Sequence, residues 1–182
     1  MSRVETGARR HLVLVGLMGA GKSTVGARCA ARLERPFVDT DDLIVMRAGM
    51  PVAEIFRTGG EERFRALERE VIADECASPA PLVIASGGGA SVDPDNRRRL
   101  RSAGVVVWLR APVEVLAARV GDGATRPLLA GDPHGALTRI AAARQDAYTA
   151  AADRVIETEG RDVDEVADAV LAAFAEVAGV VS

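Results

Sequence analysis

The stretch Gly16-Leu17-Met18-Gly19-Ala20-Gly21-Lys22-Ser23 constrains this chain more than any other. Two glycines followed by lysine and a hydroxyl residue have the spacing of a phosphate-cradling loop, and the flanks suit it. His11-Leu-Val-Leu-Val15 is a short apolar run that reads as a buried parallel strand, and an alanine-rich helical pattern follows the serine. Glycines let the backbone turn tightly and aim successive N–H groups at phosphate oxygens, and the positive end of the next helix adds to the attraction. Lys22 then reaches the β and γ phosphates of a nucleotide and Ser23 holds Mg²⁺, with Gly19, Ala20, Gly21 and Thr24 completing the ATP-binding set. The strand–loop–helix order separates this from a glycine turn that happens to precede a lysine.

With phosphate binding in hand, composition narrows the rest. A length of 182 residues suits one domain, read here as 1–182, with about the first ten residues a flexible N-terminus. Hydrophobic residues make up 48% and aromatic ones 3%, so the core is aliphatic. Lys and Arg number 23 against 26 Asp and Glu, a net charge of −3, which supplies no global field for a polyanion and argues against nucleic acid as a partner. Cys29 and Cys76 have no CxxC spacing and no histidine nearby in sequence; they read as small core residues of a reduced protein. No apolar run approaches the roughly 18 residues of a membrane span, and no leader pattern is found, so a cytoplasmic location, no membrane partner and a monomer are expected.

Along the chain, strand and helix alternate. Val25, Cys29 and Leu33 mark the buried stripe of a helix ending near Pro36, with Gly26 allowing close packing on the sheet. Phe37-Val38 is a short strand from whose end Asp39 and Asp41 emerge, and the carboxyl ends of strands are where ligands bind in open α/β sheets. Thr40 is expected to cap a helix over 42–47. A short helical turn after Pro51 is expected to break at Thr58-Gly-Gly60, and a longer helix over 61–76 places Phe64, Leu67 and Val71 on one face, with Arg65 and Glu68 close enough to pair beside it. Leu82–Ala85 is a strand running into Gly87-Gly88-Gly89, three glycines that open the main chain to a ligand. Asp93-Pro94 starts a helix whose arginines read as solvated surface, and Val105–Leu109 is the next strand, with Trp108 in the core. A helix after Pro112 ends near Arg119, and the glycine-rich stretch 121–133, with Arg126 beside Pro127, has the length of a lid. Arg144 and Tyr148 share a face of the next helix, 154–157 is a last strand, and Asp162 with Glu165 forms a capping box for a closing helix. The alternation predicts one parallel sheet wrapped by helices.

These features converge on phosphoryl transfer, which asks for position and charge neutralisation. Arg65 and Arg144 lie outside the loop and lid, and a forked guanidinium suits a carboxylate, while Asp41 accepts from hydroxyls. A small acceptor bearing a carboxylate and hydroxyls follows. The ordered set of GLMGAGKSTVG, Asp39-Thr40-Asp41, FRTGGEERFR (56–65), the triple glycine, Arg126-Pro-Leu-Leu129 and Arg144 with Tyr148 resembles shikimate kinase from end to end.

The resemblance implies an α/β P-loop NTPase-type three-layer sandwich, of nucleoside-monophosphate-kinase type, in which a five-stranded parallel sheet carries a lid and a substrate-binding segment. It implies transfer of the γ-phosphate of ATP, with Mg²⁺, to the 3-hydroxyl of shikimate in the route to chorismate and the aromatic amino acids. By position, Asp41 resembles the residue that binds shikimate's hydroxyls and accepts or orients the attacking proton, and Asp39 resembles the carboxylate that holds Mg²⁺ through water. Arg65 and Arg144 resemble the carboxylate clamp, with Glu68 orienting Arg65 and Gly87, Gly88 and Gly89 bordering the acceptor. Arg126 resembles the lid arginine at the transferring phosphate, making it catalytic with Lys22 and Asp41. Arg119 resembles one that lies along the adenine, and Arg161 is the nearest match to a second arginine there. Two alternatives are a related kinase such as a gluconate kinase, and a nucleotide-binding module that transfers nothing; the Arg126-Pro-Leu-Leu129 lid disfavours the first, and the lack of an NKxD guanine signature disfavours a GTPase form of the second.

Overall fold

The computed structural model describes residues 10–121, 129 and 131–179. The expected flexible N-terminus, apart from Arg10, and the part of the expected lid that contains Arg126 lie outside these residues.

Five strands, β1 (His11–Val15), β2 (Phe37–Asp39), β3 (Val83–Ala85), β4 (Gly104–Arg110) and β5 (Arg154–Glu157), form one sheet in the order β2-β3-β1-β4-β5. Every pairing is parallel. The three inner strands are apolar and often β-branched, and are buried almost throughout, as a sheet covered on both faces requires. Seven helices are described: α1 (Lys22–Leu33), α2 (Thr40–Ala48), α3 (Val52–Cys76), α4 (Pro94–Ala103), α5 (Val113–Val120), α6 (Pro133–Ala151) and α7 (Val163–Ala178). Helix α1 packs on α7 and α4 on α6, in layers that flank the sheet. Cys29 is buried, Cys76 packs against the same core, and Trp108 is 8% exposed within it.

The chain leaves β1 toward one edge of the sheet and β4 toward the other, so their carboxyl ends border a crevice. The loop after β1 opens there. Gly16 can occupy its position because a Cβ on it would stand 2.4 Å from the Leu109 carbonyl oxygen of β4, and because its φ is +145°. The phosphate loop is thus seated directly against the neighbouring strand.

Two local expectations change, the cap and the start of α2. Asp39, not Thr40, caps α2: its Oδ1 accepts from the Asp41 N–H at 3.0 Å, and α2 begins at Thr40. Thr40 is fully buried, and its hydroxyl accepts from the Gly87 N–H at 2.8 Å. The expected break at Thr58-Gly-Gly60 is present: Gly60, at φ 67° and ψ −175°, leaves helical geometry, so α3 is two helical segments joined at a kink. Here α2 and α3 close a separate small core of Ile44, Ile55, Phe64 and Val71. The capping box of α7 is present as read, with both the Asp162 and Glu165 side chains bonded.

Candidate active site

The nucleotide end is built from the β1–α1 turn. Gly19 and Gly21 have φ of +81° and +91°, the left-handed region that glycine enters without strain. Lys22 folds back over the loop and donates to the Gly16 and Leu17 carbonyls at 2.8 and 3.0 Å. One residue on, Ser23 donates to Asp39 Oδ2 at 2.5 Å. Asp39 therefore uses one oxygen toward α1 and the other to start α2, which fixes where Asp41 emerges. Thr24 follows on the first turn of α1, and Ala20 is buried within the loop.

Arg119 sits at the far side of this loop. Its guanidinium donates to the Gly19 carbonyl at 3.3 Å and to the hydroxyl and carbonyl of Thr158 at 3.1 and 3.2 Å. Arg161 is exposed and closes the same turn through its N–H to the Thr158 carbonyl at 3.4 Å. Arg119 thus borders the loop directly, and Arg161 is joined to it only through the Thr158 turn.

The second half of the site surrounds the glycines after β3. None of Gly87, Gly88 and Gly89 has a positive φ, so their backbone conformation does not demand glycine. The space does. A Cβ at Gly87 would lie 2.7 Å from Asp41 Oδ1 and 3.0 Å from Glu68 Oε1, and one at Gly88 would lie 3.1 Å from Arg144 Nη1. At Gly89 it would lie 2.6 and 2.7 Å from the two terminal nitrogens of Arg65. Side chains from α2, α3 and α6 therefore meet the same three residues of main chain.

Electrostatics bind this group together. Arg65 donates to Glu68 Oε2 at 2.8 Å and to Glu61 Oε1 at 3.1 and 3.2 Å. The Glu68 side chain is 1% exposed, and its Oε1 has no hydrogen-bond partner among the described residues. Burial pushes the Glu68 carboxyl above its ordinary range; Arg65 and Arg144 oppose this, and the nearby Asp41 reinforces it. Arg144 is itself 8% exposed, a cation held almost out of water. Tyr148, one turn further along α6, donates its hydroxyl to the Gly88 carbonyl at 2.5 Å.

The structure brings Asp41, Arg65, Glu68, Gly87, Gly88, Gly89 and Arg144 together, and separately pairs Ser23 with Asp39 beside Lys22. Arg126 lies outside the described residues. Sequence reasoning missed the inward role of Thr40 and the bond from Tyr148. The available signals were a hydroxyl at the strand end between two carboxylates, and a tyrosine four residues after a clamp arginine.

The family model for shikimate kinase matches residues 18–175. A shikimate kinase of Symbiobacterium thermophilum is 50% identical over 159 residues, covering 86% of this chain and 91% of the relative. One of Paramagnetospirillum magneticum is 47% identical over 161 residues, covering 88% and 80%. A shikimate kinase of Acinetobacter baumannii, solved in complex with shikimate, superposes with a TM-score of 0.86 at 37% identity, covering 89% of this chain and 90% of that one. A gluconokinase of Sinorhizobium meliloti, at 20% identity and a TM-score of 0.54, shares the fold alone.

Proposed function

Since this chain belongs to the shikimate kinase family and transfers the γ-phosphate of ATP to the 3-hydroxyl of shikimate, we propose that its acceptor end is the group around Gly87, Gly88 and Gly89. Arg65 and Arg144 clamp the acceptor's carboxylate, because two forked cations on different helices offer parallel N–H donors to a planar anion. Asp41 accepts from the hydroxyls and takes or orients the proton of the attacking one. Glu68 holds the Arg65 fork in place. This division of labour is supported above all by the glycine triplet, whose three missing methyl groups leave room for those same four side chains.

At the donor end, the N–H groups of Gly19, Ala20, Gly21, Lys22, Ser23 and Thr24 cradle the phosphates, and Lys22 exchanges its two loop carbonyls for phosphate oxygens. Ser23 and Asp39 would hold Mg²⁺, Asp39 through water. Their oxygens fit: a hydroxyl and a carboxylate stand 2.5 Å apart beside the loop, and Mg²⁺ is commonly held by one or two such groups together with phosphates and water. When bound, the ion neutralises charge between the β and γ phosphates. Arg119 and Arg161 border the adenine, as their shared approach to the Thr158 turn supports. Arg126 meets the transferring phosphate from the lid. The chain acts as a single-domain cytoplasmic monomer without a nucleic-acid or membrane partner; among the described residues no helix is long and apolar enough to cross a membrane.

ADP release followed in a coupled assay should depend on added shikimate, and gluconate should not replace it. Asp41→Asn should lower kcat by about a hundredfold with the fold retained, because the lost charge acts at the reacting hydroxyl. Arg144→Ala should raise KM for shikimate far more than for ATP. Equal losses for the two substrates would contradict the clamp.

A further inference from the structure

We infer that Tyr148 is a positioning residue for acceptor binding, its hydroxyl fixing the Gly88 main chain beside the Arg144 guanidinium. The inference rests on the clamp reading above and extends it to a residue that needs no contact with either substrate.

Tyr148 is 1% exposed and lies one helical turn after Arg144 on the same face of α6. Its hydroxyl donates to the Gly88 carbonyl at 2.5 Å, and a Cβ on Gly88 would stand 3.1 Å from Arg144 Nη1, so the main chain that Tyr148 fixes lies against the arginine fork. The ring is held in turn by Trp108, with centroids 5.3 Å apart and planes 35° from parallel.

On the main-chain side, the peptide between Gly88 and Gly89 is planar, so fixing the Gly88 oxygen fixes the opposite direction of the Gly89 N–H. Thr40 holds the other end of the triplet through the Gly87 N–H. Three glycines in a row would otherwise sample many conformations, and the two hydroxyls, one from α2 and one from α6, select one of them. Phenylalanine at 148 would keep the contact with Trp108 but supply no donor to Gly88.

The test is Tyr148→Phe, with dissociation constants for shikimate and ATP measured by calorimetry alongside KM and kcat. Shikimate affinity should fall by up to about tenfold, the upper size for a lost hydrogen bond between neutral groups, while ATP affinity stays within about twofold. Adding Arg144→Ala to Tyr148→Phe should cost less than the product of the two single effects. Unchanged shikimate affinity, or a parallel loss for ATP, overturns the inference but leaves the clamp standing if Arg144→Ala alone still weakens shikimate. If Arg144→Ala binds shikimate as the parent does, the clamp reading fails and this inference falls with it.

Discussion

A methyl group at Gly89 would press on Arg65, the flexible end of a long side chain, and not on backbone. The guanidinium would have to shift by several tenths of an ångström out of its bond to Glu68. Alanine also restricts the unfolded chain, and the φ of Gly89, −99°, is one alanine adopts freely. That gain, under about 1 kcal/mol, is smaller than the cost of a buried Glu68 carboxylate losing its cation, so Gly89→Ala is expected to melt below the parent temperature while KM for shikimate rises by about an order of magnitude. Calorimetric melting and steady-state kinetics on the same preparation check both halves. Asp41, Arg65 and Arg144 were legible in the sequence because charged residues at a strand end or on otherwise apolar helix faces need a reason to be there. Thr40 and Tyr148 were not. A threonine before a helix has the composition of a cap, and a tyrosine four residues after Arg144 marks only a shared helix face; only packing reveals that both hydroxyls turn inward to the same loop.

At the level of elements, β1 and β3 are clipped together by His11. Its Nδ1 accepts from the Leu82 N–H at 3.0 Å, and the side chain is buried. Burial lowers its pKa from the ordinary 6.5, a hydrogen bond with the Cys76 backbone opposes that, and the charges of Arg10 and Arg35 lower it further. The unfolded chain then takes up this proton at higher pH than the folded chain, so protons favour unfolding. The stabilisation is complete above about pH 6.5 and is lost as pH falls through the lowered folded-state value. His11→Asn, which keeps an acceptor but cannot titrate, should show a smaller loss of unfolding free energy between pH 7 and pH 5 than the parent in urea titrations. All five strands and the capping box of α7 could be read from period and caps, because those signals are local. The break at Gly60 was legible for the same reason, but local pattern cannot show that Ile55 before it and Phe64 after it belong to one small core.

Across the whole molecule two cores divide the work. The larger lies on the sheet and runs from Leu12 to Phe174, while Ile44, Ile55, Phe64 and Val71 form the smaller one under the acceptor side. Less apolar surface holds the second together, so it should open at lower free energy. Amides of Ile44, Ile55 and Phe64 are expected to exchange hydrogen faster than those of β1 and β4, and shikimate should slow the first group more than the second. Uniform exchange across both would show one cooperative unit instead. The separation has a bearing on how such enzymes diversify. Substitutions that reshape the hydroxyl-binding side can be absorbed within four apolar residues and their neighbours, so descendants can try new sugar acids while inheriting an undisturbed seat for the nucleotide.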